Sequence, residues 1–102
     1  MFLVMVVRIA GLPTAAMAQS LVGVEQQSRQ CLQGGSRSGC SLALRQAEQL
    51  QERAAELQAF PCQTLLLGLQ ADLIMERDGQ GRGAEAIADL PGILRGCVGT
   101  GL

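Results

Sequence analysis

Four cysteines, at positions 31, 40, 62 and 97, are the residues of this 102-residue sequence with the most chemistry open to them. Thiolates bind zinc, carry electrons as redox pairs, hold haem or close into disulfides. The spacing Cys-x8-Cys-x21-Cys-x34-Cys separates these uses. Structural zinc sites present ligands in close pairs such as C-x2-C, so that one tight knuckle aims two thiolates at the ion. No such pair occurs here, and there is no His to take a missing place. The C-x-x-C of redox pairs and of c-type haem attachment is missing too. An even number of cysteines in a small exported chain reads as structural disulfides, so no metal or cofactor is expected.

Other chemistries have little to work with. Without His there is no ordinary base poised near neutral pH, and no Ser, Thr or Cys has a partner for triad-type hydrolysis. Phe2 and Phe60 are the only aromatics, which removes stacking platforms for single-stranded nucleic acid or sugars. A net charge of −1 argues against nucleic acid or an anionic membrane as partner. Asp72, Glu76 and Asp89 are the carboxylates whose convergence would serve acid–base chemistry. Glu48, Glu52 and Glu56 form an i, i+4 row that reads as a solvated helix face. "GQGRG", residues 79–83, has the glycines of a phosphate loop but follows a helix rather than a strand, and reads as a flexible loop. The chain is therefore read as a non-enzyme.

The elements that must position the cysteines are helical. Residues 1–18, "MFLVMVVRIAGLPTAAMA", are mostly apolar, lack acidic residues and end in Ala16-Met17-Ala18, an A-x-A cleavage site. They read as a signal peptide, with Gln19 opening a single helical domain over residues 19–102. Arg8 sits inside the apolar run instead of ahead of it, which raises Met5 or an upstream codon as the translation start. Loss of Arg8 leaves seven arginines against nine acidic residues, a net charge of −2. No later stretch approaches the length of a membrane span, and no Cys follows the cleavage site to anchor a lipid.

Apolar residues at three-four spacing predict four helices. The first covers residues 20–33, with Leu21, Val24, Ser28 and Cys31 on one stripe. The second covers 39–58, with Cys40, Ala43, Ala47, Leu50, Ala54 and Leu57 in one seam and Ser38 as its N-cap. The third runs over 61–77 from Pro61, a natural first-turn residue, and carries Cys62, Leu65, Leu66, Leu69 and Leu73. Leu67, Ile74 and Met75 make it apolar on more than one side, so it is expected to be the most buried helix, and its "LLLGLQADLIM" stretch to be core or the lining of an apolar site. The fourth covers 84–96, with Ile87, Leu90, Leu94 and Cys97 in phase and Pro91-Gly92 expected to kink or divide it. No alternating strand pattern appears, so the fold is read as all-α: a small antiparallel four-helix bundle of two hairpins.

Helix geometry then chooses among the three pairings that four cysteines allow. In an up-and-down bundle Cys31 ends the first helix and Cys40 begins the second, both at one end. Cys62 begins the third and Cys97 ends the fourth, both at the other. Cys40 and Cys62 are separated by most of a helix, roughly 30 Å at 1.5 Å per residue. A disulfide spans Cα separations of only about 4.4–6.8 Å. The pairs Cys31–Cys40 and Cys62–Cys97 survive, with no thiol left free.

"CSLALRQAEQL" from Cys40 echoes "GAEAIADLPGIL" from Gly83, with Ala43 over Ala86 and Leu44 over Ile87. Together with Leu67-Gly68 and Gly79, this pattern resembles tetratricopeptide-type helical hairpins, which implies paired antiparallel helices and a role in binding protein segments. The offset of about 43 residues exceeds that family's repeat, its bulky aromatic positions are unfilled and Pro91 interrupts the last helix, so no residue role carries over. "QSRQCL", "PCQTLLLGLQADLIM" and the terminal "RGC" are similar to small exported four-cysteine proteins of unknown function from cyanobacteria. That resemblance implies export and paired cysteines. The expected function is that of an exported, non-catalytic interaction or structural module in the periplasm, thylakoid lumen or medium, with a protein partner. The alternative is a small carrier of an apolar ligand, a lipid or pigment, held between helices.

Overall fold

A computed structural model describes residues 20–102; the expected signal peptide and its cleavage site lie outside the described residues. Four helices follow one another: α1 (Leu21–Leu32), α2 (Arg37–Glu56), α3 (Phe60–Arg77) and α4 (Ala84–Cys97). No strand occurs among the described residues, and none of their helices is long and apolar enough to cross a membrane. α2 packs against α1 and α3, and α4 packs against α3 and back against α1, which closes a four-helix bundle. Cys31 is bonded to Cys40 and Cys62 to Cys97, each pair with Cα atoms 4.7 Å apart.

The core follows the predicted stripes in large part; Leu21 and Leu65 are half-buried, and in α4 the face is turned so that Ala86 and Ile93 are buried where the spacing predicts Ile87 and Leu94. Val24, Ser28 and Cys31 of α1 are buried, as are Cys40, Ala43, Ala47, Leu50 and Ala54 of α2. α3 supplies Cys62, Leu66, Leu69 and Leu73, and α4 supplies Ala86, Leu90, Ile93 and Cys97. α2 faces its neighbours largely with alanine, so the leucines of α3 fill most of the interior volume. Leu57, in phase with the α2 seam, is 47% exposed because the helix has ended before it.

Helix ends show how the chain reverses. α1 is capped by Ser20, which accepts from the Gly23 amide. α2 begins two residues earlier than its apolar seam implies. Ser36, not Ser38, is the N-cap and accepts from the Gly39 amide at 3.0 Å, while Ser38 only shares a hydrogen bond with Ser36. Both serines suit the role, and local sequence does not rank them. α2 ends in a Schellman motif: the Ala59 amide donates to the Ala54 carbonyl at 2.8 Å and the Gln58 amide to the Ala55 carbonyl. That motif needs a left-handed residue, and Gln58 takes it with φ 58°. α3 ends the same way, with Gly79 in the left-handed place (φ 82°).

Pro91 does not divide α4, which continues through it to Cys97. Pro91 is exposed, and it leaves the Ile87 carbonyl one turn back without its helical donor.

Two stability measurements follow from these features. Gln58→Gly relieves a left-handed residue carrying a Cβ and is expected to stabilise the protein by about 0.5–1 kcal/mol after the entropy of glycine in the unfolded chain is counted. Replacing Cys62 and Cys97 by Ala opens the longer loop and is expected to cost about 3–4 kcal/mol, against about 2–3 kcal/mol for the Cys31–Cys40 pair. Urea unfolding of the variants checks both values; equal losses from the two disulfides would contradict the loop-length account.

Candidate functional site

The seam between α3 and α4 is fastened at its two ends and open between them. At one end the Cys62–Cys97 bond joins the helices, and Gly96 lies so close to Leu65 that a Cβ there would strike its side chain. At the other end Arg82, in the 78–83 loop, reaches back across the seam. Its Nε and one terminal nitrogen donate to both carboxylate oxygens of Asp72, at 2.9 and 2.7 Å, a bidentate pair. The same terminal nitrogen donates to Asp89 of α4 at 2.7 Å. Asp72 is buried, whereas the Arg82 side chain is about one-third exposed.

Between these fastenings lies a cleft of about 490 Å³, lined by Thr64, Leu65, Gly68, Gly92 and Ile93 and ending at the Asp72–Arg82–Asp89 cluster. Gly68 and Gly92 are helix-interior glycines, each of which destabilises a helix by about 0.5–1 kcal/mol relative to Ala. Nothing in the packing requires them. A Cβ on Gly68 would meet no atom within 4 Å, and one on Gly92 only an Arg95 nitrogen at 3.6 Å. Their effect is to keep the cleft wide.

Electrostatically the cluster is a clamp. Hydrogen bonds from Arg82 to Asp72, then to Asp89, push the guanidinium above its already high ordinary pKa. With the folded-state value raised, the charge pairing is fully present below the ordinary value and lost only as pH rises beyond it. Both oxygens of Asp72 are occupied by Arg82, so this carboxylate positions the loop and is not presented as a free base. Of the three carboxylates considered for catalysis, Asp72 and Asp89 are brought together and Glu76 is not. Glu76 does not line the cleft; its side chain lies against Gly81. Glu48, Glu52 and Glu56 all lie on the exposed side of α2. Arg82 is the residue that sequence reasoning missed. The GQGRG loop is pinned by it, and an Arg ten residues after Asp72 and seven before Asp89 was the signal available.

α3 differs from expectation in its burial. It buries one stripe, Cys62, Leu66, Leu69 and Leu73, and leaves a second one in the open. Phe60 is 55% exposed, Leu67 46%, Met75 39% and Ile74 38%, with Thr64 and Ala71 exposed between them. At 3.6 residues per turn this second stripe lies roughly 160° around the helix from the buried one. A four-helix bundle covers each helix only on the side of its neighbours. The side of α3 facing away from α2 and α4 has nothing to bury against within the chain.

Arg82→Gln removes the cation of the clamp, leaves the buried Asp72 carboxylate without it and keeps every apolar core residue. Amide hydrogen exchange is expected to speed up in residues 78–86 while α1 and α2 keep their protection, and the wild-type pattern is expected to hold from pH 7 to about pH 10 once intrinsic exchange rates are corrected for. Unchanged exchange in the variant would mean that the Gly79 turn alone holds the loop. Compared with family models, with curated proteins and with solved structures, the chain matches none of them.

Proposed function

We propose that the protein is an exported, non-catalytic interaction module whose contact surface is the outward stripe of α3. The observation that carries this reading is the double-faced helix. Phe60, Leu67 and Ile74 recur two turns apart along one outward line, with Thr64 and Ala71 between them, on a helix whose opposite side already fills the core. Aligned exposed apolar residues of this kind are where contact sites are found, whereas singly scattered ones carry no such meaning. Two disulfides in so small a bundle support an oxidising compartment, which agrees with removal of residues 1–18 on export.

A second reading, a carrier of a lipid or pigment tail, draws on the α3–α4 cleft. Its volume falls within the usual range for small-molecule sites, and two glycines hold it open.

A photo-crosslinking residue placed at Leu67, with a control at Arg45 on the outer face of α2, tests the first reading in the producing cells. Crosslinked protein is expected from the Leu67 position and not from Arg45. Equal or absent crosslinking at both positions would sink the interaction reading. Native mass spectrometry of the same purified protein tests the second: a retained lipid or pigment that is lost on Gly68→Leu supports the carrier, and a bare protein mass removes it.

A further inference from the structure

We propose that the outward stripe of α3 pairs with the same stripe of a second copy, forming a weak antiparallel homodimer about a twofold axis that passes between Leu67 and Ala71. This rests on the reading of the stripe as a contact surface and names what covers it. The stripe is Phe60, Thr64, Leu67, Ala71, Ile74 and then Asp78, at spacings of four, three, four, three and four. That is the spacing of a coiled-coil seam, and it continues for about 27 Å along the helix. Over residues 60–75 it carries no charge, so its partner must also present an uncharged apolar ridge. A second copy supplies one by construction, because an isologous contact needs only a self-complementary patch.

Side-chain size selects the orientation. Large and small residues alternate: Phe60, Thr64, Leu67, Ala71, Ile74. In a parallel, in-register pair each would meet itself, so that Leu67 crowds Leu67 while Ala71 leaves a gap. In the antiparallel pair Leu67 seats on the partner's Ala71, and Ile74 on the partner's Thr64. These two knobs each meet a small residue, which lets the backbones approach at the centre of the pair, while Phe60 lies at the rim beside the partner's Asp78.

Charge selects the same orientation. α3 starts from Ala59 with no side-chain cap on its N-terminal amides. The antiparallel register brings the partner's Asp78, a part-exposed carboxylate that already pairs with its own Arg77, beside that N-terminus, where negative charge is favoured. A parallel pair would instead set the two Asp78 carboxylates side by side.

The exposed fractions of Phe60, Leu67 and Ile74 correspond to apolar surface on the order of 250 Å² per copy. Two copies together fall well short of the roughly 1,200 Å² typical of stable complexes, so the dimer is expected to be weak and to be populated toward the top of the concentration range below.

Sedimentation equilibrium of the disulfide-bonded protein, from about 10 μM to 1 mM, measures the association. Leu67→Glu and Ala71→Arg both change exposed residues, and their helicity and melting temperature should stay near wild type. Each variant alone is expected to weaken self-association at least about tenfold, because the twofold axis doubles the introduced charge. An equimolar mixture of the two is expected to recover dimer, since the carboxylate introduced in one chain then faces the guanidinium introduced in the other. Arg45→Glu, on α2, should leave association unchanged. A wild type that stays monomeric at 1 mM, variants that dimerise like wild type, or a mixture without recovery would each overturn the proposal. If the protein is monomeric but Leu67 crosslinks to a different chain, only self-pairing fails; with neither, the interaction reading fails with it.

Discussion

The Cys62–Cys97 bond joins the last residue of α4 to the first buried residue of α3, and the geometry of that pair of helices rests on it. α3 and α4 meet less extensively than α2 and α3 do. Their apolar contact is interrupted by Gly68 and Gly92, which contribute no side chain. A seam of this kind would close poorly on hydrophobic burial alone. The covalent bond at one end and the Arg82 clamp at the other hold the helices together across a gap that packing does not fill. The cleft, the buried Asp72 and the pinned 78–83 loop are consequences of that arrangement.

The same scarcity of interior surface accounts for the second face of α3. α2 offers mostly alanine to the core, so the bundle is thin where α2 passes. Four short helices can bury only the side of each that faces the others. A helix with apolar residues on two sides must then leave one side outside. Ordinary selection against exposed leucine and phenylalanine would favour charge there, as it does on the outer face of α2. The outward stripe is regular and free of charge over four turns, which sets it apart from incidental exposure.

Legibility from sequence varied with how local the cause was. The four helices and both disulfides were readable because a three-four apolar rhythm marks each seam and all four cysteines fall in phase with it; in α4, where apolar residues lie on both sides of Leu90, the rhythm pointed to Ile87 and Leu94 while Ala86 and Ile93 became core. Helix ends were less readable. Ser36 and Ser38 are equally suited to cap α2, and only the path of the preceding turn selects Ser36. Gln58 takes a position usually given to glycine, which no composition rule would reveal. Pro91 remained inside α4, at an exposed position of the helix, which the sequence pattern did not decide. Arg82 was unremarkable in a glycine-rich loop until the fold placed Asp72 and Asp89 on either side of it.

The sequence by itself determined the class of structure and its chemistry: helices, paired thiols, and neither histidine nor an aromatic platform. These depend on residue type and periodic spacing, which the chain carries in one dimension. The stripe of α3 that carries Cys62 was marked as core by its cysteine and leucines; tertiary structure decided that the opposite face, with Phe60, Leu67 and Ile74, would find no neighbour within the chain. The limit comes from the neighbours: α2 and α4, tied by their turns and by Cys62–Cys97, can reach only the side of α3 that carries Cys62, Leu66, Leu69 and Leu73.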